Sequence, residues 1–161
     1  MFKNVLAALD DGETCDLVFE RALTLTQATG ANLQLLSVIA PIDNISPSVL
    51  ASSDESYNLS SADQSVWSVY QDVHEDCIKK QQERLSRLSK QAQAKGIEAE
   101  FFQRAGSPGR AICQQAKDGE ADLIVVGSHG RRGLSELWLG SVSNYVLHHA
   151  PCSVLVIREQ A

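Results

Sequence analysis
The sequence predicts a single-domain α/β fold, an open doubly wound sheet of five parallel strands flanked by four helices. Short apolar runs recur along the chain, and Leu123-Ile124-Val125-Val126 lacks alternation, as a strand buried on both faces requires. Between these runs lie segments with apolar residues at helical spacing, several of them closed by a glycine. The chain opens strand, helix, strand, which predicts parallel neighbours joined by a right-handed crossover.

Phe2 to Leu9 (FKNVLAAL) reads as the first strand, and Asp10, Asp11 and Gly12 form the turn after it. A helix from about Thr14 to Ala28 follows, with Val18, Ala22, Leu25 and Ala28 as its apolar face and Gly30 as its stop. Asn32 to Ile39 is the second strand. Ala40 to about Ser65 then changes character, with Pro41, Pro47, many serines and few aliphatic residues. This long loop or insert reads as a solvated connection or, functionally, as a flap over a ligand or a partner-binding arm.

From about Ser65 to Lys95 the pattern is helical, with Tyr70, Val73, Cys77, Leu85, Leu88 and Ala92 as a stripe. Lys79, Lys80, Gln82 and Lys90 on the other side read as a solvated face rather than a docking site. Ile97 to Gln103 shows the partial alternation of an edge strand. Ser107 is placed to cap a helix with Pro108 at its first position, running from Gly109 to Lys117 and ending at Gly119. Leu123 opens the fourth strand, Gly140-Ser141 opens a last helix that stops before Pro151, and Ser153 to Ile157 is the fifth strand.

A chain of 161 residues with 43% hydrophobic and 21% charged residues has the balance of a soluble globular domain. Its net charge of −6 argues against a nucleic-acid backbone or an anionic membrane as partner. The opening MFKNVLAALDD has too short an apolar run for a signal peptide, and no stretch approaches a membrane span. A cytoplasmic location is therefore expected. Cys15, Cys77, Cys113 and Cys152 are scattered without a C-x-x-C pair, so zinc and disulfides are poorly supported and mostly buried, inert thiols are expected.

The informative stretch runs from Asp122 to Val146, DLIVVGSHGRRGLSELWLGSVSNYV. Glycines at 127, 130, 133 and 140 follow a buried strand, and Gly140-Ser141 begins a helix. Glycine lets an anion approach main-chain N–H groups, and a helix start leaves such groups unpaired at the positive end of the dipole. Ser141 and Ser143 add hydroxyls at the same place. The combination predicts a phosphate seat. It matches neither the P-loop nor the dinucleotide-fold fingerprint.

Gly127-x-x-Gly130, nine further residues and Gly140-Ser141 make a G-2x-G-9x-G-S pattern. This spacing resembles the ATP-binding signature of the universal stress protein family. The N-terminal strand, the ending Ala-Pro-Cys-Ser-Val-Leu-Val-Ile and the overall length resemble that family too, so nearly the whole chain takes part. The resemblance implies a Rossmann-like sheet with strand order 3-2-1-4-5. In such an order the topological switch falls between strands 1 and 4, whose carboxyl ends, Ala8-Leu9-Asp10 and Val126-Gly127, should border a ligand crevice.

The implied ligand is ATP or another adenine nucleotide. Its phosphates would lie on Gly130, Gly140, Ser141, Val142 and Ser143, mostly through backbone N–H groups. Asp10 would accept hydrogen bonds from the ribose or hold Mg2+ through the phosphates; alternatively it only caps its own turn. Ala8, Leu9 and Val126 would form apolar walls, and the resemblance places backbone near Val38 at the adenine edge. The family often has glycine and serine after the strand 1 acid, whereas this chain has Asp11 and Gly12, which brings an extra negative charge near the phosphates. Arg131 and Arg132 either offset that charge or form a solvated loop tip.

His129, within the glycine loop, reads as a structural or nucleotide-contacting residue ahead of a base for hydrolysis; with Arg131 or Arg132 as stabilisers no compact catalytic set stands out. Adjacent His148 and His149 point in different directions and make a poor metal pair. The expected function is a nucleotide-binding stress-response regulator with an unknown protein client and little or no catalysis. The alternatives are a slow ATPase or nucleotidyl-transfer enzyme, a nucleotide-free interaction module, and, more remotely, a flavin binder. The apolar run at 153–157 at the sheet edge predicts a homodimer, an expectation that the resemblance shares.

Overall fold
The computed structural model describes residues 1–12, 14–39, 63–128 and 139–158, with side chains from residue 71 onward in the long second helix. The elements run β1 (Asn4–Ala8), α1 (Cys15–Thr29), β2 (Asn32–Ile39), α2 (Asp63–Ala94), β3 (Ala99–Ala105), α3 (Pro108–Asp118), β4 (Leu123–Gly127), α4 (Ser141–His149) and β5 (Ser153–Ile157). All strand pairs are parallel, in the order β3-β2-β1-β4-β5. The expected α/β sheet is present. The order reverses between β1 and β4, which pair in register from Val5↔Leu123 to Ala8↔Val126.

The period-2 geometry of strands sorts side chains onto two faces. Val5, Ala7 and Leu9 after β1, Leu33 and Leu35 of β2 and Val125 of β4 share one core with Val18, Phe19, Ala22 and Leu23 of α1 and Leu85, Leu88 and Ala92 of α2. On the other face, Leu6, Leu36, Ile124 and Val126 pack with Ile112 and Ala116 of α3 and Val146 of α4. Each fully buried aliphatic or aromatic side chain in these layers contributes about 1.5–3 kcal/mol.

The helix faces differ from the sequence expectation. In α1 the buried set is Cys15, Val18, Phe19, Ala22, Leu23 and Thr26. Leu25 is only half-buried and Ala28 is exposed, because the face turns toward the larger Phe19 and Leu23. In α2 the stripe is buried at Leu85, Leu88 and Ala92, while Val73 and Cys77 are exposed; the Tyr70 side chain lies outside the described residues. The helix also begins at Asp63, inside the stretch expected to be loop to Ser65; residues 40–62 of that insert lie outside the described residues.

Asp122, the acid just before β4, accepts the backbone N–H of Lys3 at 2.7 Å and that of Asn4 at 3.2 Å. Its own N–H donates to the Asn4 carbonyl at 3.0 Å. This clamp fixes the start of β1 against β4, and so fixes where both strands end.

Candidate functional site
At the carboxyl ends of β1 and β4 the chain builds a seat around the start of α4. Ser128, directly after β4, is anchored by its N–H to the Ile157 carbonyl at 2.8 Å. Its own carbonyl accepts the N–H of Gly140 at 2.7 Å and the hydroxyl of Ser143 at 3.3 Å. The Ser143 hydroxyl also lies 3.0 Å from the Gly140 carbonyl. A Cβ on Gly140 would sit 2.7 Å from the Ser128 carbonyl oxygen, so only glycine allows this approach. His129, Gly130, Arg131 and Arg132 lie outside the described residues, while both ends of their segment are held together by this clasp.

The clasp divides the expected phosphate contacts. The Gly140 amide and the Ser143 hydroxyl already have protein acceptors. In α4 the first helical bond runs from Asn144 N–H to Gly140 O at 2.9 Å, so the amides of Ser141, Val142 and Ser143 have no intrahelical acceptor. Those three groups, at the positive end of the helix, are the donors that remain for an anion. His148 and His149 occupy the last turn, at the dipole's negative end. His149 stacks on Tyr145 with ring centroids 4.0 Å apart, and its Nδ1 lies 2.8 Å from the Tyr145 carbonyl.

Ala8, Val38, Val126 and Val142 come together on the α3/α4 face of the sheet. They form an apolar wall whose Val142 also carries one of the amides without an intrahelical acceptor. Leu9 does not join them. One residue beyond Ala8 the pleat turns it to the opposite face, where it is 6% exposed within the α1/α2 core. Gly127 likewise turns its bare Cα toward α1, where a Cβ would lie 2.8 Å from Thr14 Oγ1. Its role in the described structure is to let α1 approach β4.

Asp10 follows Leu9, and its Oδ1 accepts the Gly12 N–H at 2.9 Å. The capping role is therefore present; Oδ2, as a carboxylate oxygen, is of the type that accepts from a ribose hydroxyl or meets a cation. Asp11 is tied elsewhere: its Oδ2 accepts Gln81 Nε2 at 2.7 Å, and Gln81 Oε1 accepts the buried Ser37 hydroxyl at 2.9 Å. Gln81 belongs to α2, so Asp11 points to the α1/α2 side. Nothing in the local sequence announces this partner, which is 70 residues away.

Beside that network, Leu9, Cys15, Ser37, Arg84 and Leu85 line a cavity of about 10 Å³, about the space of one water. Burial pushes the Cys15 thiol up to about 11, with Asp10, Asp16 and Asp11 adding to the effect and Arg84 opposing it. Cys15 is therefore a protonated thiol at neutral pH. Burial also raises Cys113 and Cys152, whereas Cys77 is exposed, against the expectation of packing. Among the described residues no group of three or more His, Cys, Asp or Glu is placed to hold a metal, and no helix is long and apolar enough to cross a membrane.

The donor set suits a phosphorylated ligand with an apolar ring system: amides at one end, aliphatic side chains beside them, a carboxylate opposite. The universal stress protein of Synechocystis sp., Sll1388, is 34% identical over 160 residues, covering 98% of each chain. Universal stress protein UspA from Lactobacillus plantarum superposes with a TM-score of 0.67 at 27% identity, over 97% of both chains. Two further structures share the fold at lower identity. The Archaeoglobus fulgidus universal stress protein in complex with dAMP matches at TM-score 0.62 and 18% identity, over 96% of this chain and 97% of the other. A universal stress protein in complex with cAMP matches at 0.61 and 19%, over 99% and 98%. The family model described as "Universal stress protein family" matches residues 1–158, and the chain belongs to that family.

Proposed function
We propose that this protein is an adenine-nucleotide-binding regulator whose phosphate seat is the first turn of α4. The observation that carries the reading is the set of three amides, Ser141 to Ser143, left without intrahelical acceptors at the topological switch point. The phosphate would rest on those amides, with Gly130 as a further contact from the loop and Arg131 as a counter-charge. The adenosine would lie along Ala8, Val38, Val126 and Val142, and Asp10 Oδ2 would meet the ribose or a Mg2+ bound to the phosphates. The dAMP and cAMP complexes of the two fold relatives support an adenosine monophosphate core as the minimal ligand.

Binding here is a signal rather than a step in turnover: a protein client reads the nucleotide-bound state. A second copy pairs along the outer edge of β5, which has no strand beside it among the described residues. The test is mass spectrometry of the small molecules released on denaturation, followed by calorimetry with AMP, ATP and cAMP. Release of an adenine nucleotide, with rebinding by the emptied protein, is expected. Protein that carries none and binds none counts against the seat. Steady release of ADP that stops in Asp10→Ala would instead make the protein an ATPase.

A further inference from the structure
The edge of the sheet farthest from the clasp carries a second concave surface. Lys79, Arg87 and Lys90 of α2 line a groove of about 580 Å³ together with Glu83 and with Phe101 of β3. Helical spacing puts the α2 members on one flank, beside the buried Leu85 and Leu88. The three cations against one anion stand out in a chain of net charge −6. Phe101 is 36% exposed, an aromatic ring left at the wall of a charged groove.

The backbone of β3 supplies the other half. Leu33 N–H donates to Glu98 O at 2.8 Å and Gly106 N–H donates to Ile39 O at 2.9 Å, so the even-numbered residues direct their backbone groups toward β2. The odd-numbered residues therefore point outward. At Ala99 the outward carbonyl is covered, by Ser89 Oγ at 3.0 Å and Gln93 Nε2 at 2.9 Å. Beyond it, Phe101 and Gln103 present N–H and C=O groups with no strand beside them among the described residues. Open ladder groups recruit an extended chain, and alternate side chains of that chain fall into the neighbouring groove.

We infer that the β3 edge is a docking site for an extended acidic segment of a partner protein, which adds as a strand at Phe101–Gln103 and sets its carboxylates over Lys79, Arg87 and Lys90. Charge complementarity selects an acidic partner, and the unpaired ladder selects an extended one. Docking at this edge is independent of nucleotide binding.

The test uses fluorescence anisotropy with the full chain and a fluorescein-labelled peptide of alternating glutamate and valine, about ten residues long. Saturable binding is expected, weakened at least about tenfold by the double substitution Arg87→Glu and Lys90→Glu, which alters only exposed residues. The same peptide N-methylated at alternate amides, and a lysine–valine counterpart, should not bind. Equal binding of either control peptide, or no saturation with the parent peptide, overturns the proposal. If the charge reversal instead changes the oligomeric state in sedimentation velocity, a second copy occupies the groove and the acidic partner is wrong.

Discussion
The amide of Gly140 donates to the carbonyl of Ser128 at 2.7 Å, joining the end of β4 to the start of α4 across the glycine-rich segment. A hydrogen bond between backbone groups cannot be removed by changing a side chain, but the space it needs can be. An added Cβ at Gly140 meets a carbonyl, which has no rotamer through which to move away. In Gly140→Val the Ser128–Gly140 distance must open and the α4 amides turn with it. Affinity for AMP is expected to fall at least about tenfold with the far-UV circular dichroism unchanged. Calorimetry that shows undiminished affinity would remove the clasp from the binding site.

Gln81 bridges two elements that the sequence keeps far apart. Its replacement by leucine leaves Ser37 buried without its acceptor and Asp11 without its donor. A loss of about 1–3 kcal/mol in urea unfolding is expected. A double-mutant cycle with Ser37→Ala should show the two losses to be non-additive. Additive losses would mean that the Ser37–Gln81 bond carries no coupling energy.

The packing of α3 on α4 is tight at Gly109. A Cβ on Gly109 would lie 2.6 Å from Tyr145 Cδ1. Gly109→Ala must push the tyrosine ring, and with it the stack on His149, away from α3. Overpacking of this kind costs about 1–3 kcal/mol, read as a lowered unfolding midpoint. Tyr145→Leu in the same background should recover part of it.

Cys15 makes stability depend on pH at the alkaline end. Its pKa rises from the ordinary thiol value of 9.0 to about 11 in the fold, chiefly because burial disfavours the thiolate. The unfolded chain thus ionises first as pH rises. The contribution is complete below pH 9.0 and is lost as pH climbs toward 11. The loss is on the order of 2–3 kcal/mol. Cys15→Ala should flatten this limb of the stability profile, and iodoacetamide should label Cys77 in the native protein long before Cys15.

Periodicity and glycine placement make the sheet legible. β2 and β5 occupy the expected residues, 32–39 and 153–157. Patterns with a local cause survive reading one residue at a time. The meeting of Ala8 and Val126 is legible for a similar reason, since strand ends at a switch point have fixed company; that the side chains of Val38 and Val142 join them is not, because the sequence points only to their backbone groups. Leu9 departs from its expected place because proximity in sequence to Ala8 says nothing once the pleat alternates. The first half of α2 departs because an apolar stripe shows which face is greasy, not whether a surface exists to receive it. Asp11, Gly140 and Ser143 hold protein partners that depend on tertiary approach. Asp122 offers a readable signal, an acid abutting a buried strand, whose use as a clamp on β1 emerges only when the strands are paired.

The division of α2 has a dynamic consequence. A helix of 32 residues extends for about 48 Å; among its described side chains the buried ones are Leu85, Leu88, Ser89 and Ala92, and the ties to the sheet reach back to Gln81, bonded to Ser37, and Ile78, bonded to Gln103. Gln71, Asp72 and Val73 are exposed, so the solvent exchange of their amides should run orders of magnitude faster than that of Ala92. Protection is expected to set in between Ile78 and Gln81, where the helix is first tied to β3, to β2 and, through Asp11, to the turn after β1.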